Sequence, residues 1–547
     1  MGELILGPLL RYVSDTEATV WVETSVPCEV EILGRREPTF RVEGHHYALV
    51  RLDELEPGSR HEYEVALDGE RCWPPEGSEL PPSTIRTLGG DGLLTISFGS
   101  CRLAVPHEPP FTESMDAEEE GSGVDALWIL AKQAAASNLD GRPEQLFLLG
   151  DQIYVDEGSP GTRARIRQRR GTATGPDAEV SDFEEYTWLY HESWREPLIR
   201  WLFSTVSLSM LWDDHDMSDD WNISRSWLDE VRRFPWWHGR AVGCIMSYWI
   251  YQHMGNLSPR ELDENDLYPR IRGNQHATEE MRAWAEEIDT TASGTRWSFC
   301  RDFGRTRAVF IDARAGRVLE PGGRAILDEE EWSWIVDRTR GDFDHLLVAT
   351  TVPLLLTPTF HHLEAWNERV CDGAWGRLAA RAGERLRRAL DFDHWACFQR
   401  SFQALSQLLA RVARGEHGRR PASVVVLSGD VHHAYLCDVA LRGSGAERAP
   451  IYQAVCSPYR NPLDEKERSV VRAGFRAAPE PVASTLARLA GAPQPDIRWR
   501  MLEGPHFDNQ VGTLELRGRS AEIHLDKTVA GRGLDQTLER TFERRLA

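Results

Sequence analysis

The segment EQLFLLGDQIYVD, residues 144–156, decides the fold because it joins an apolar strand directly to side chains of the kinds that bind metal ions. Residues 146–149 form an apolar run that predicts a buried strand. The run stops at Gly150, and Asp151 and Tyr154 follow. Open α/β sheets carry their chemistry at the carboxyl ends of strands, where these two side chains would offer hard oxygen ligands to one metal ion. Taken alone, a strand that ends in Gly-Asp is more often a plain turn.

Composition limits the classes of ligand. The chain has 547 residues, 63 basic and 86 acidic, which gives a formal net charge of −23. A surface this acidic repels a phosphate backbone and excludes broad nucleic-acid binding. An anionic ligand therefore needs a local positive field from metal ions or arginines. The sequence does not indicate an oligomeric state.

The cysteines and the apolar runs predict where the protein works. The nine cysteines are scattered without a CxxC pair, which is typical of a reducing compartment. No signal peptide is visible at the start of the chain. The longest apolar runs, 241–251 and 346–356, are too short to span a bilayer. We therefore predict a cytoplasmic protein without membrane contact.

A change along the chain, from strand patterns alone to strands that alternate with helices, predicts two domains. Residues 1–88 contain short alternating or apolar strands separated by Gly, Pro and Asp turns, which is typical of a small all-β sandwich of the fibronectin type III or immunoglobulin kind. A Pro-rich segment at 72–92 marks the boundary. From 93 to 547, strands alternate with helices, which predicts an α/β domain.

Several elements of the second domain follow from periodicity. Residues 124–138 and 184–204 have a helical pattern, and 512–518 with 521–527 predict a closing hairpin. The last residues of the chain are expected to form a charged helix. The polar insertion at 157–181 carries basic residues from Arg163 to Arg170, and it is either a mobile surface loop or a lid that brings arginines to an anionic substrate.

At three further strand ends, possible metal ligands directly follow an apolar strand, as Asp151 does. Cys101 and Arg102 follow one apolar strand, DDHD at 213–216 follows another, and GDVHH at 429–433 follows a third. Each has an ordinary structural explanation when it is taken alone: a buried thiol, a helix cap or a surface turn. Their joint occurrence at strand ends predicts a metal site instead.

The residue types indicate what that site does. Two metal ions that share a bridging carboxylate, assigned to Asp151, would polarise a phosphoryl oxygen and lower the pKa of a water molecule. Deprotonated tyrosine and cysteine ligands favour a highly charged ion such as ferric iron. His215 is placed to contact the phosphoryl group or to protonate the leaving oxygen, and Asp216 to orient it. Arg102 is expected to stabilise the developing charge.

The motifs GDQIY, WDDHD, GDVHH and FGSC resemble the alkaline phosphatase D (PhoD-like) family of the calcineurin-like metallophosphoesterase superfamily. Asp214 replaces the asparagine of the superfamily motif GNH(D/E), and Asp430 replaces the first histidine of GHxH. The usual DxH motif is absent, and Cys101 stands where the family has its metal-binding cysteine. Together with FIDAR, YWIYQHMGNLSP, DFDHW and CSPYRNPL, the resemblance covers most of residues 93–525. It implies a four-layer β-sandwich flanked by helices.

The resemblance also implies a ligand set and an activity. The metal ligands it implies are Cys101, Asp151, Tyr154, Asp214, Asp430 and His432. Ferric iron would lie at Tyr154 and Cys101, calcium would fill the second site, and Asp213, Asp220 and Asn222 remain unassigned secondary ligands. The expected activity is metal-dependent hydrolysis of phosphoric mono- or diesters, with a small-molecule phosphate ester as the partner and with His215 and Arg102 near the phosphate. The alternatives are a purple-acid-phosphatase-like enzyme, which the aspartates at 214 and 430 disfavour, and a non-catalytic phosphate- or nucleotide-binding protein.

Overall fold

The computed structural model describes residues 2–90, 92–118, 120–138, 141–171, 175–291, 295–441, 447–476, 478–529 and 536–547. The described residues before Gly92 form strands and no helix. These are β1 (Leu4–Val13), β2 (Ala18–Thr24), β3 (Glu29–Ile32), β4 (Arg35–Pro38), β5 (Phe40–Val42), β6 (His45–Leu52), β7 (Arg60–Glu62), β8 (Val65–Leu67), β9 (Glu70–Trp73) and β10 (Thr84–Arg86).

These strands form two four-stranded sheets with the orders β1-β2-β6-β5 and β4-β3-β8-β9, and β7 pairs with β10. Strand β2 shows how the sheets pack. Val20 and Val22 enter the core between the two sheets. Trp21 points to the opposite face and packs on Tyr251 with ring centroids 5.2 Å apart. Since successive side chains alternate between faces, β2 is buried on both sides, once within the sandwich and once against the rest of the protein.

The remaining strands are longer or more buried. They are β11 (Leu93–Gly99), β12 (Gln145–Leu149), β13 (Ser207–Leu211), β14 (Phe299–Phe303), β15 (Thr306–Ile311), β16 (His345–Thr350), β17 (Ser423–Ser428), β18 (Ala434–Leu441), β19 (Ile451–Val455), β20 (Ile497–His506), β21 (Gln510–Arg517), β22 (Ser520–Val529) and β23 (Thr537–Arg545).

The helices all follow β11 in the chain. They are α1 (Ala126–Ala136), α2 (Pro160–Arg170), α3 (Phe183–Trp194), α4 (Pro197–Thr205), α5 (Arg225–Val231), α6 (Trp237–Ser247), α7 (Pro259–Asp263), α8 (Tyr268–Ile271), α9 (Thr278–Thr291), α10 (Glu329–Arg338), α11 (Pro358–Cys371), α12 (Arg377–Ala389), α13 (Gln399–Ala413), α14 (Glu465–Gly474) and α15 (Glu480–Leu489).

Two large sheets face each other, as the fold prediction requires. Their orders are β13-β12-β11-β21-β22-β23 and β14-β15-β16-β17-β19-β18-β20. Phe147 of the first sheet contacts Phe310 of the second, with centroids 4.8 Å apart. The neighbours of Phe310 along β15, Val309 and Ile311, point instead into a separate core beneath α10 and α13. The predicted layered α/β architecture with an N-terminal all-β part is therefore confirmed.

The topology sets where side chains gather. Strand β11 is parallel to β12, and β12 is parallel to β13. In the second sheet, β15, β16, β17 and β19 run parallel to one another. The residues that follow these strands therefore emerge at carboxyl edges of the two sheets.

The structure contradicts the sequence prediction at the end of the chain. The last residues form strand β23, which pairs with β22, rather than a charged helix. Leu538 and Phe542 pack against the core from this strand. Their four-residue spacing places them on one face of a strand as well as of a helix, so periodicity could not distinguish the two. The hairpin β21–β22 is confirmed.

The basic insertion contains helix α2, and its arginines contact the protein itself. Arg169 and Arg170 form ion pairs with the buried Glu185 at 2.9 and 3.1 Å. The guanidinium of Arg165 lies 3.7 Å from the centroid of the Trp188 ring. Residues 172–174 of the insertion lie outside the described residues. The observed pairs do not present these arginines to a substrate, and a lid function stays a prediction.

None of the helices that the described residues form combines the length and apolar composition that a membrane crossing needs.

Candidate metal centre

Four strand ends converge at the carboxyl edge, and tight backbone turns aim their side chains inward. Cys101, Asp151, Asp430 and His432 all have φ between +50° and +69°, a left-handed conformation that non-glycine residues rarely adopt. Such strain is concentrated at functional sites. A glycine is required at position 429, directly before Asp430, because a Cβ there would lie 2.1 Å from the Ser100 hydroxyl. The Gly-Asp pair in GDVHH thus has a steric reason.

Two groups of possible metal ligands share Asp151, and they contain four of the six predicted ligands. Cys101, Asp151 and His432 each bring a ligand atom within 4.8 Å of the others, and so do Asp151, Asp213 and Asp214. The Cys101 thiol donates a hydrogen bond to Asp151 Oδ2 at 3.2 Å. Asp151 therefore belongs to both groups, and its role as a metal bridge stays a prediction.

The electrostatics of these groups fit a bound cation. Asp151 Oδ1 and Asp213 Oδ2 are buried and accept no hydrogen bond from a described residue. Burial and the nearby negative charge of Asp214 raise the pKa of Asp151 well above its ordinary value, against the opposing charge of His215. Buried carboxylate oxygens without donors are costly unless a cation coordinates them. The donor set of carboxylate, imidazole and thiol is one that metals accept.

Tyr154 reaches the same place from the turn after β12. Its hydroxyl is buried and makes no hydrogen bond of ordinary geometry to a described residue. Burial, then the charges of Cys101 and Asp151, raise its pKa well above the usual value, so the phenol keeps its proton unless a cation displaces it.

His432 completes the predicted set as a neutral imidazole. Burial and the positive charge of His215 lower its pKa to about 4. An imidazole must be neutral to bind a metal, and this environment keeps it so.

Arg314, which was not predicted to have a role, contacts two members of the second group, Asp213 and Asp214. Its guanidinium donates to Asp213 and Asp393, and it contacts Asp214 at 3.1 Å and Asp430 at 3.0 Å. Burial lowers the pKa of Arg314, but these four carboxylates raise it well above the ordinary value. Arg314 follows β15 in FIDAR just as Asp151 follows β12. A search for charged side chains directly after apolar strands would therefore have found it.

His394 supports Asp430 from the motif DFDHW. Its Nε2 lies 3.1 Å from Asp430 Oδ2, and its Nδ1 lies 2.7 Å from Glu364 Oε1. Burial raises the pKa of Asp430, but the hydrogen bond from His394 and the charge of Arg314 bring it below its usual range. No strand end precedes His394 in the chain, so only the tertiary structure could reveal this contact.

His215 is oriented by Asp156 and not, as the sequence analysis expected, by Asp216. Nδ1 of His215 donates to Asp156 Oδ1 at 2.9 Å, which leaves Nε2 for another partner. Burial lowers the pKa of His215, but the Asp156 carboxylate raises it well above the ordinary value. Asp216 instead accepts hydrogen bonds from the backbone of Asp151 at 3.1 Å and Asp213 at 2.9 Å, and thus holds two turns together.

Arg102 is buried at the edge of the site, and its Nε and Nη1 are already engaged. Its Nε donates to Asp125 at 2.8 Å, and its Nη1 donates to the Ser193 carbonyl at 2.7 Å. The backbone of Arg102 contacts the Asp151 carbonyl at 3.2 Å. A role at the phosphate stays a prediction for Arg102.

The unassigned residues Asp220 and Asn222 lie in the turns after Asp214. Asp220 donates its backbone N–H to Asp214 Oδ2 at 3.2 Å, and Asn222 donates its side-chain amide to the Arg314 carbonyl at 3.0 Å. Both have positive φ, +65° and +59°. They brace Asp214 and Arg314, and nothing observed makes them ligands.

Comparisons with known proteins agree with this geometry. Residues 125–266 match the family model PhoD-like phosphatase, and residues 1–85 match a domain of unknown function, DUF7800. No curated protein sequence matches the chain. The solved structure of PhoD aligns with a TM-score of 0.60 at 12% identity and covers 100% of this chain and 92% of that one. A purple acid phosphatase, PPD1 from yellow lupin (Lupinus luteus) seeds, aligns with a TM-score of 0.50 at 11% identity over 97% of this chain and 73% of that one.

These matches confirm the predicted resemblance. The family model spans Asp151, Tyr154, Asp214 and His215, and the alignment with PhoD extends over the whole fold. Residues 125–266 are therefore similar to PhoD-like phosphatases, and the chain as a whole shares the fold of the solved PhoD structure.

Proposed function

We propose that the protein is a metal-dependent hydrolase of phosphoric esters. The observation that carries this proposal is the shared carboxylate of Asp151, which joins two ligand groups and keeps one buried oxygen without a donor among the described residues. The PhoD-like phosphatase match over residues 125–266 supports the same activity.

The chain's own residues supply orientation and a proton. When bound, metal ions would polarise a phosphoryl oxygen and lower the pKa of the attacking water. His215 is held by Asp156 through Nδ1 and keeps its proton, so its Nε2 is suited to protonate the leaving oxygen. Arg314 holds Asp213, Asp214 and Asp430 in place from behind.

Ferric iron with calcium is our proposal for the metal pair. Tyr154 and Cys101 would hold the iron, because both are buried and both need a strongly charged ion to lose their protons. Asp214 and Asp430 with the shared Asp151 offer oxygen ligands of the kind calcium prefers. His432 completes the iron side.

Iron at Tyr154 has a spectroscopic test. Native protein should show a visible tyrosinate-to-iron absorption that Tyr154→Phe abolishes, while Tyr186→Phe, which changes a buried tyrosine elsewhere, should leave it unchanged. Elemental analysis of the native protein should find iron. A colourless, iron-free and fully active preparation would contradict the assignment.

The substrate is proposed to be a small-molecule phosphate ester, acted on without broad nucleic-acid binding. The purified, metal-loaded protein should hydrolyse a generic aryl phosphate, a bis-aryl phosphodiester or both. Absence of turnover with either, in protein whose metal content has been verified, would instead favour the non-catalytic phosphate-binding alternative. The purple-acid-phosphatase-like alternative is disfavoured because aspartates occupy 214 and 430.

A further inference from the structure

A cavity outside the metal centre is lined by more positive than negative side chains. It lies between α5 and α12, has a volume of about 440 Å³, and is lined by five arginines but only two carboxylates. The whole chain has a net charge of −23, so a local positive excess of this size runs against its overall composition. None of the predicted metal ligands lines this cavity.

Two of the arginines are buried and incompletely hydrogen-bonded. Arg324 and Arg387 are only 7% and 3% exposed. Nε of Arg324 and Nη2 of Arg387 are buried and donate to no described residue. Burial, together with the charge of Arg387, lowers the pKa of Arg324 to about 10. Two buried guanidinium charges close together repel each other, and an anion in the cavity would reduce this repulsion.

Two more arginines stand at the rim on one face of α12. Arg381 and Arg385 are spaced four residues apart, which places both on the same side of the helix. Among the described residues, neither forms an ion pair or a hydrogen bond. Glu384, between them in sequence, pairs instead with Arg387 and Arg388, each at 3.3 Å.

We propose that this cavity binds a phosphate-type oxyanion, either free phosphate or the phosphate group of a larger ester. The planar guanidinium fork matches a tetrahedral oxyanion in a bidentate manner. A floor of two buried arginines and a rim of two unpaired ones surrounds a volume large enough for such a group with its ordered waters. This inference does not depend on the proposed hydrolase activity.

The cavity is also close to the metal centre in the fold. Arg324 donates to the carbonyl of Ile223 at 3.1 Å, and it stacks on one ring, Phe398, with Arg317. Arg317 in turn donates to the Asp393 carbonyl at 2.8 Å. An anion at Arg324 would therefore be linked through Phe398 and Arg317 to Asp393, which contacts Arg314.

Equilibrium dialysis of the metal-loaded full-length protein against labelled inorganic phosphate tests the proposal. We expect two binding sites per chain in the unmodified protein. The double variant Arg381→Gln/Arg385→Gln should lose one of them, with affinity reduced at least about tenfold. Arg377→Gln, on the same helix but outside the cavity, should keep both. These exposed positions are chosen because changes at Arg324 or Arg387 could prevent folding.

A reciprocal variant separates the two sites. Asp214→Asn should weaken phosphate binding at the metal centre and keep the arginine-dependent site. The proposal is overturned if the double variant binds phosphate as the unmodified protein does, or if Asp214→Asn abolishes all binding. A parallel titration with methylenediphosphonate distinguishes the source: tighter arginine-dependent binding than that of phosphate indicates a larger phosphate ligand, and weaker binding indicates free phosphate.

Discussion

Two buried acidic clusters in this protein differ in how their charge is compensated. Glu23 of β2 is fully buried where the N-terminal sheets meet α3. Its oxygens lie 2.9 Å from His45, 2.8 Å from His191 and 3.0 Å from the Tyr251 hydroxyl. Although burial raises its pKa, the hydrogen bonds from His191 and His45 bring it down to about 2. Asp151 is equally buried, but its pKa is raised and one of its oxygens has no donor among the described residues.

The difference separates a structural cluster from a binding cluster. At Glu23, positive partners supplied by the protein satisfy the charge, and the cluster is complete in the folded chain. At Asp151, neighbouring aspartates add like charge, and folding leaves a demand for a cation. Buried acids alone therefore do not identify a metal site, whereas buried acids without sufficient donors do.

The largest effect should come from Asp151→Asn. We expect activity to fall by at least about a thousandfold, because the shared ligand is lost. The metal-free variant should nonetheless be more stable than metal-free unmodified protein, since one buried like charge is removed. Steady-state assay, elemental analysis and thermal unfolding in chelator measure the three outcomes.

Asp125→Asn is the matched control. Asp125 is also buried, but it is paired with Arg102 at 2.8 Å. Its loss should destabilise the protein by about 3–5 kcal/mol with or without metal. A metal-free Asp151→Asn protein that is less stable than its parent would break the distinction between the clusters.

Arg314→Gln should make stability depend on metal. Without the guanidinium, four carboxylates lose their internal cation, and the metal-free protein should lose about 3–5 kcal/mol. Bound metal should restore part of this. Arg301→Gln removes a buried arginine that donates to the Arg11 and Gly255 carbonyls, and its cost should be the same with and without metal. Denaturant unfolding in both states gives the comparison, and equal losses for Arg314→Gln would contradict it.

Glu23→Gln should lower the free energy of unfolding, whereas Asp151→Asn should raise that of the metal-free protein. The change leaves His191 without its carboxylate and His45 with Glu184 alone, and we expect a loss of about 3 kcal/mol in unfolding free energy. Metal content should be unchanged, because the cluster lies outside the ligand groups. A fall in metal content would show that the two clusters are coupled.

The smallest effect concerns pH. Burial lowers the pKa of His45, but Glu184 and Glu23 raise it from 6.5 to about 9. Its contribution to stability is therefore fully present below pH 6.5 and is lost as pH rises through about 9. The shift corresponds to at most about 3 kcal/mol, and the 19% exposure of the side chain lowers our expectation to roughly 2 kcal/mol. Unfolding titrations from pH 6 to 10 should show this slope, and His45→Gln should flatten it.

Most of the secondary structure and much of the candidate site could be predicted from local pattern. Apolar runs that end in Gly-Asp or Cys-Arg marked β11, β12 and β17 together with the residues that follow them. The same rule applied to FIDAR would have found Arg314. It could not find His394, which follows no strand and reaches Asp430 from a separate segment. At the chain's end, a spacing that suits both a helix and a strand produced a wrong prediction.

The sequence by itself determined which residue types stand at which strand ends, because strand formation and the following turn depend on near neighbours in the chain. Only the tertiary structure decided how charges are shared among them. Asp156 rather than Asp216 orients His215, Arg314 and not Arg102 lies among the carboxylates, and Asp151 lacks the donors that Glu23 has. These contacts join residues far apart in sequence, and the pKa of each depends on burial and distance, which no local pattern records.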